Sequence, residues 1–294
     1  MLIRPAVPTD VPARVAVHRA CISYSMANEA LMSSPDEPGS RTLRLVAEVD
    51  GKVVGSGTAQ LDVHGADGTG SVSVMVVPEH RGGGVGGALY RRLDAHLGEV
   101  GARRITANTF SDDAVGFGER RGFTIGLATR VSESDPAGVE AVTPPPGVTV
   151  RSAAELPDLR SAHEVALAFG PDVPSSTPFV PQPYDAWVAA RSSGIGLDRE
   201  TSFVVFDGDV PVALTLTSRI ENRLITRLTG THPEHRRRGL ARLAKTASLS
   251  AAAAAGVVRV YTFNEVANEG ILAVNERLGY RPHMVVRELV REPR

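Results

Sequence analysis

The sequence predicts an α+β (mixed α/β) protein made of two tandem copies of one fold, each a largely antiparallel twisted sheet flanked by helices. Three observations carry this. The 294 residues exceed the length at which one hydrophobic core keeps growing, so two domains of about 150 residues are expected. Three landmarks recur in the same order along the chain. Leu2-Ile3-Arg4-Pro5-Ala6 returns as Thr149-Val150-Arg151-Ser152-Ala153, Val77-Pro78-Glu79-His80-Arg81 as His232-Pro233-Glu234-His235-Arg236, and Arg121-Gly122-Phe123 as Leu278-Gly279-Tyr280. Within each copy, strand-like and helix-like segments follow one another in mixed order rather than as strict strand–helix–strand units.

Residues 2–4 read as a short strand, with Asp10 as the N-cap of a helix running through 26. Residues 44–49 and 52–57 flank Asp50-Gly51, a strong hairpin signal. Residues 71–77 alternate small polar and apolar side chains, as a half-buried strand does. Residues 82–98 read as a loop entering a helix whose apolar stripe is Leu89, Leu93 and Leu97. A strand at 104–107 and a helix at 114–121 complete the copy. The second copy repeats the order: strands at 203–206 and 210–217 about Asp207-Gly208, a strand at 224–231, a long Ala-rich helix to 255, a strand at 257–263 and a helix at 270–278. Residues 133–147 contain Asp135-Pro136-Ala137-Gly138 and Pro144-Pro145-Pro146-Gly147, lack apolar periodicity, and read as a Pro/Gly-rich linker. The expected domains are therefore 1–132 and 148–294.

Composition excludes several classes. With 32 Lys+Arg against 33 Asp+Glu, the formal net charge of −1 argues against a nucleic-acid binder relying on bulk basicity. A 22% charged fraction and mean hydropathy of −0.05 fit neither a disordered polyelectrolyte nor a membrane-embedded protein. No apolar run approaches the ~20 residues a membrane helix requires. Met1-Leu2-Ile3-Arg4-Pro5 has no basic region followed by an apolar stretch, so no secretion signal is expected. Cys21 alone can build neither an internal disulfide nor a cysteine metal cage, which suits a reducing cytoplasm, the expected location. The histidines show no metal-ligand spacing, and no metal is expected.

The chemistry-bearing segments are Arg81-Gly82-Gly83-Gly84-Val85-Gly86 and its counterpart Arg236-Arg237-Arg238-Gly239-Leu240-Ala241, each between a strand and a helix. Small residues let the backbone approach a ligand, and the helix start offers unpaired N–H groups and a positive dipole end. That is a cradle for a phosphate or pyrophosphate. Gly82-x-Gly84-x-x-Gly87 matches a dinucleotide fingerprint in form, but it follows several strands, and the second copy keeps only Gly239. No Gly-Lys-Ser/Thr follows either loop, which removes the Walker-type loop. What repeats is Arg-x-x-Gly-x-Gly/Ala after a Pro-Glu-His turn.

That repeat resembles the coenzyme-A loop of the GNAT (Gcn5-related N-acetyltransferase) superfamily. Val76-Val77-Pro78-Glu79-His80-Arg81 looks like the family's strand end before the loop, and Gly122-Phe123 and Gly279-Tyr280 look like the turn that closes its last helix. Asn268, eleven residues before Gly279, falls where the family commonly has a cofactor-contacting Asn. The two-copy layout resembles that of the mycothiol synthases.

The resemblance implies acetyl-CoA (coenzyme A) as cofactor, with direct transfer to an amine. Its phosphates would be held by Arg81, Gly82, Gly83, Gly84, Val85 and Gly86 and by Arg236, Arg237, Arg238, Gly239, Leu240 and Ala241. The strand ends that offer backbone N–H to the thioester carbonyl would be Met75-Val76-Val77 and Gly230-Thr231-His232. The family's usual thiolate-protonating Tyr is replaced by Gly118 in the first copy and Asn275 in the second; Ser111 stands where the family Asn falls in the first. The C-terminal copy is therefore the expected catalytic domain. Its candidates are Asn275 as a hydrogen-bond donor to sulfur or the pantetheine arm, His232 as a proton relay beside the thioester, and Glu221 just before the strand, where the family often keeps a carboxylate.

Specificity is expected from the helix and loop after each first strand, including the proline-rich stretch 169–187 with Phe179, Tyr184 and Trp187. The expected partner is a small-molecule amine (a metabolite, antibiotic or thiol precursor), with no nucleic acid and no membrane. The chain would act as a monomer (a pseudo-dimer of its two copies) or a homodimer. The alternatives are a protein N-terminal or lysine acetyltransferase and a non-catalytic acyl-CoA-binding regulatory module.

Overall fold

The computed structural model describes residues 1–63, 68–174 and 179–292. The first half runs β1 (Leu2–Pro5), α1 (Val11–Cys21), α2 (Glu29–Met32), β2 (Leu43–Val49), β3 (Lys52–Leu61), β4 (Thr69–Val76), α3 (Val85–Glu99), β5 (Arg104–Thr109), α4 (Asp112–Glu119) and β6 (Thr124–Ser134). The second runs β7 (Val148–Ser152), α5 (Arg160–Phe169), α6 (Tyr184–Ser192), β8 (Phe203–Asp207), β9 (Val210–Ile220), β10 (Arg223–Thr231), α7 (Leu240–Ala254), β11 (Arg259–Glu265), α8 (Glu269–Arg277) and β12 (Arg281–Arg291). The fold is mixed α+β with mostly antiparallel sheet, each half carrying a single parallel pair, β4–β5 and β10–β11.

The repeated elements form where their residue patterns place them. Asp50 and Gly51 both adopt the left-handed conformation (φ 49° and 76°), as a tight hairpin between right-twisted strands requires. Leu89, Leu93 and Leu97 are fully buried on the inner face of α3, against β2, β3 and β4. The approach is close: a Cβ added at Gly57 would lie 2.6 Å from Leu93 Cδ1.

Two local expectations shift. The first helix ends at Cys21 rather than 26, because Ser25 Oγ bonds His18 Nδ1 (2.7 Å) and accepts from the Ala27 amide (3.1 Å), giving the chain a local alternative to helical pairing. Asp207 pairs with Val210, so the turn there is Gly208-Asp209, one residue later than the pattern indicated. In the alanine run 251–255 only Ala252 is buried. The proline-rich stretch contributes α6 from Tyr184 onward; Ser175–Pro178 within it lie outside the described residues.

The chain forms two compact units that exchange their last strands. Unit one comprises Met1–Ala128 and Val286–Arg294; unit two comprises Thr129–Val285. In unit one the sheet order is β1-β2-β3-β4-β5 followed by the end of β12, where Arg287 to Arg291 pair antiparallel with Thr109 to Ile105. In unit two, β7-β8-β9-β10-β11 is followed by the end of β6, where Thr129 to Ser134 pair with Glu265 to Val260. Residues 135–147 belong to unit two, where Val139 and Val142 pack on its core. Leu289, 2% exposed, sits in the core of unit one with Leu89, Leu93 and Phe123.

This exchange makes a test. Leu289→Ala should cost about 2–5 kcal/mol of stability by cavity formation. Although residue 289 lies at the end of the sequence, hydrogen exchange should accelerate at the amides of Arg104–Thr109 and not at Arg259–Glu265. Acceleration at the latter alone would contradict the strand assignment.

Candidate functional site

In unit one, β4 and β5 are in parallel register only from Thr69 to Ser71 and from Arg104 to Thr106; beyond that the strands part. The gap opens into a cleft of about 790 Å³ bounded by both strand ends, the Arg81–Gly87 loop, α4 and Cys21. Of the strand-end residues, the Val77 amide donates to Val54 O (3.0 Å) and so faces β3. By strand alternation the Val76 peptide faces the gap. Its carbonyl accepts from Arg81 Nε (3.0 Å) and Cys21 Sγ (3.3 Å), which tie the loop and the end of α1 to the strand end. Met75 and Val76 thus line the cleft, with Val76 presenting its N–H inward, while the expected third residue, Val77, is bonded to β3 and is not part of the lining.

The loop has one backbone shape in both copies. Gly82 and Gly84 have φ of 79° and 82°; their counterparts Arg237 and Gly239 have 62° and 76°. Arg237 holds a conformation that costs a non-glycine residue roughly 1 kcal/mol, so the loop shape is kept even where the residue disfavours it. Neither α3 nor α7 receives a side-chain cap, leaving the amides at Val85-Gly86 and Leu240-Ala241 free of side-chain acceptors. A helix start of this kind, after a loop of left-handed turns, fits a pyrophosphate.

The charges around the two loops differ. Arg81 makes no ion pair among the described residues. Arg236 repeats its contact to the strand end (Thr231 O, 3.4 Å) but also ion-pairs with Asp172. Arg238 pairs with Asp207 at 2.7 Å and contacts His235 Nδ1 at 3.0 Å. The C-terminal loop is therefore largely neutralised by the chain's own carboxylates.

The interiors differ more. In unit one Tyr90, Phe117 and Arg121 line the cleft, with the Arg121 guanidinium 3.4 Å from the Phe117 ring centroid. At the matching place in unit two, Lys245 is 1% exposed, its Nζ 3.5 Å from Thr262 Oγ1 and 4.6 Å from the Tyr280 ring centroid. Asn275 is fully buried and donates from Nδ2 to Asn264 Oδ1 at 2.7 Å; its own Oδ1 has no partner. Burial alone drives Lys245 from its ordinary 10.5 to about 7 and pushes the Tyr280 phenol up. Gly230, at the end of β10, is covered by Phe169, whose ring carbons would be 2.3 Å from a Cβ there.

A family model for the Acetyltransferase (GNAT) family matches residues 19–123 and 164–280, once in each copy. The chain belongs to the acetyltransferase (GNAT) family. Among solved structures it is similar to a GCN5-related N-acetyltransferase from Sphaerobacter thermophilus, with 19% identity, TM-score 0.78, and coverage of 99% of this chain and 95% of that one. It is also similar to a tandem GNAT protein from the clavulanic acid biosynthesis pathway, with 17% identity, TM-score 0.77, and coverage of 99% and 98%. These likenesses establish the tandem GNAT fold. No curated protein matches the sequence. None of the helices among the described residues is long and apolar enough to cross a membrane.

The GNAT framework separates some residues that the sequence grouped. Glu221 sits in the β9–β10 turn, at the start of β10, while His232 follows its end. Nine residues of strand, about 30 Å at 3.3 Å each, keep its carboxylate far from the loop, so Glu221 cannot serve as a base beside His232. His232 stays at the strand end; its Nδ1 accepts from the Glu234 amide (3.4 Å) and its ring packs edge-on against His235. Asn275 points into the buried polar cluster rather than toward an open cleft. Asn268 is the N-cap of α8, accepting from the Ile271 amide at 3.4 Å, and Ser111 caps α4 in the same way at 3.3 Å. Sequence reasoning missed Cys21, Tyr90, Phe117 and Arg121. Only Tyr90 carried a signal, being six residues after Gly84 as Lys245 is after Gly239.

Gly118 sits directly against the side chain of Leu289. A Cβ at Gly118 would lie 2.2 Å from Leu289 Cδ1, so the strand supplied by β12 fills the room a tyrosine would take.

Lys245 yields a stability test. Its folded value lies below its unfolded one, so unfolding takes up a proton between pH about 7 and 10.5, and its contribution to stability rises with pH across that window. Lys245→Met should stabilise the chain by roughly 2–4 kcal/mol at pH 7 and flatten the rise above pH 7. Chemical denaturation at pH 7 and 9 measures both; a destabilised variant would contradict the burial described.

Proposed function

We propose that this chain is an acetyl-CoA-dependent N-acetyltransferase that transfers an acetyl group directly to a primary amine of a small molecule, with the cofactor held in the cleft of unit one. The observation that carries the reading is that cleft: about 790 Å³, opening where β4 and β5 part, with an uncapped helix start and an Arg81 that no carboxylate neutralises. The volume lies in the range of sites that enclose a small ligand. The sequence favoured the C-terminal copy for catalysis. Buried Lys245 and Asn275, Phe169 against Gly230, and loop arginines tied to Asp172 and Asp207 favour the N-terminal copy instead.

When bound, acetyl-CoA supplies an acyl group activated as a thioester. Residues at Gly82–Gly86 would hold its diphosphate through backbone N–H groups, with Arg81 adding charge. The Val76 N–H faces the gap and would donate to the carbonyl oxygen as negative charge develops there. Tyr90 and Phe117 would exclude water along the arm. Gly118 has no side chain to deliver a proton to the departing sulfur. That same absence favours a second reading, a non-catalytic acyl-CoA-binding module.

Cys21 reports on the cleft directly. Burial pushes its thiol up despite the nearby Arg81, so alkylation by N-ethylmaleimide should be slow at neutral pH. Saturating acetyl-CoA should slow it by a further factor of about ten or more, since the bound cofactor covers the thiol. Equal rates with and without acetyl-CoA would overturn the N-terminal assignment. Incubation with radiolabelled acetyl-CoA and a panel of small amines separates the two readings. Acceptor-dependent transfer supports the enzyme, and Cys21 protection without transfer to any acceptor supports the binding module.

A further inference from the structure

A second cavity, of about 640 Å³, lies within unit two and is lined by Arg242 of α7, Arg259 at the start of β11, Arg277 at the end of α8 and Arg281 at the start of β12. None of these four arginines makes an ion pair or side-chain hydrogen bond among the described residues. Elsewhere the chain pairs its arginines readily, as in Arg219 with Asp198 (2.6 Å) and Arg238 with Asp207 (2.7 Å). The Nε of Arg242 is buried and has no hydrogen-bond partner. A buried guanidinium donor without an acceptor costs free energy, and four like charges converging on one cavity repel one another. An anion relieves both.

The segment from Glu133 to Glu140 supplies the rest of the lining together with Leu278 and Gly279. It is ordered by its own contacts: the Asp135 carboxylate accepts from the Ala137 amide (2.9 Å), Ser134 Oγ donates to Asp135 O (3.2 Å), and Val139 packs on the Leu249 and Ala252 core. Two of the three lining carboxylates are engaged, Asp135 as stated and Glu133 with His283 Nδ1 at 3.4 Å. Glu140 is exposed on the wall. The residues that line this cavity are distinct from the Arg236–Ala241 loop and from the cleft of unit one.

We propose that this cavity is a binding site for a small polyanion, a metabolite bearing phosphoryl groups or several carboxylates. Planar guanidinium groups grip either group with paired hydrogen bonds, and a cavity of this size accommodates a ligand no larger than a nucleotide. The site is independent of the acyl-CoA cleft, and the segment joining the two sequence repeats forms part of it.

The test is isothermal titration of the full chain, saturated with acetyl-CoA, with inorganic pyrophosphate in one arm and citrate in the other. The wild type should bind at least one probe. Pyrophosphate alone identifies a phosphoryl ligand, and citrate alone a polycarboxylate. Arg259→Gln with Arg281→Gln, both exposed and remote from the core, should weaken binding about tenfold or more, the worth of one or two charge-assisted hydrogen bonds. Glu140→Gln should tighten it by removing a like charge. A wild type that binds neither probe, or an arginine double variant that binds as the wild type does, overturns the site.

Discussion

Each unit is organised around two parallel strands that remain hydrogen-bonded for only a few residues and then separate. Three residue pairs hold β4 to β5 and four hold β10 to β11. Beyond them, backbone N–H and C=O groups face a gap, and such groups must be satisfied by something. In unit one the Val76 carbonyl takes donors from Arg81 and Cys21, while its N–H remains directed into open space. In unit two the Thr231 carbonyl takes Arg236 in the same way, while Phe169 covers Gly230 and Lys245 and Asn275 are buried. What occupies the gap decides what each copy can hold.

The two copies retain the loop and differ in the interior. Left-handed residues recur at matched positions, even where Arg237 replaces glycine. Behind the loop, Tyr90 corresponds to Lys245 and Gly118 to Asn275, and the second set forms a polar cluster closed to solvent. A lysine buried without a carboxylate, beside an Asn oxygen without a donor, is an expensive interior. Unit two is therefore stabilised despite its interior. Its apolar clusters on either face of β8 and β9 supply the compensation.

Much of this was legible in the sequence wherever a local rule applied. Asp50-Gly51 marks its turn through backbone conformation alone, and Leu89, Leu93 and Leu97 mark a buried face through helical period. The repeated Arg-x-x-Gly pattern marks the left-handed turns that precede α3 and α7, because a glycine before a helix start is what such a turn asks for. The exchange of β6 and β12 was not legible, since both strands mix charged and apolar residues and their partners lie more than a hundred residues away. Glu221 looked close to the loop in sequence, yet an extended strand carries the chain about 3.3 Å per residue and separates the two. The burial of Lys245 and Asn275 was hidden for another reason: Asn275 reads as a cleft residue from its spacing and Lys245 as a solvent-facing helix residue, and only tertiary packing encloses them.

Binding stoichiometry tests the central claim, that one copy holds the cofactor and the other does not. Equilibrium dialysis of the full chain against acetyl-CoA should reach one cofactor per chain, lost in Gly84→Glu and kept in Gly239→Glu, because the new carboxylate meets the phosphates only where they bind. Two cofactors per chain, or loss in Gly239→Glu with retention in Gly84→Glu, would contradict it.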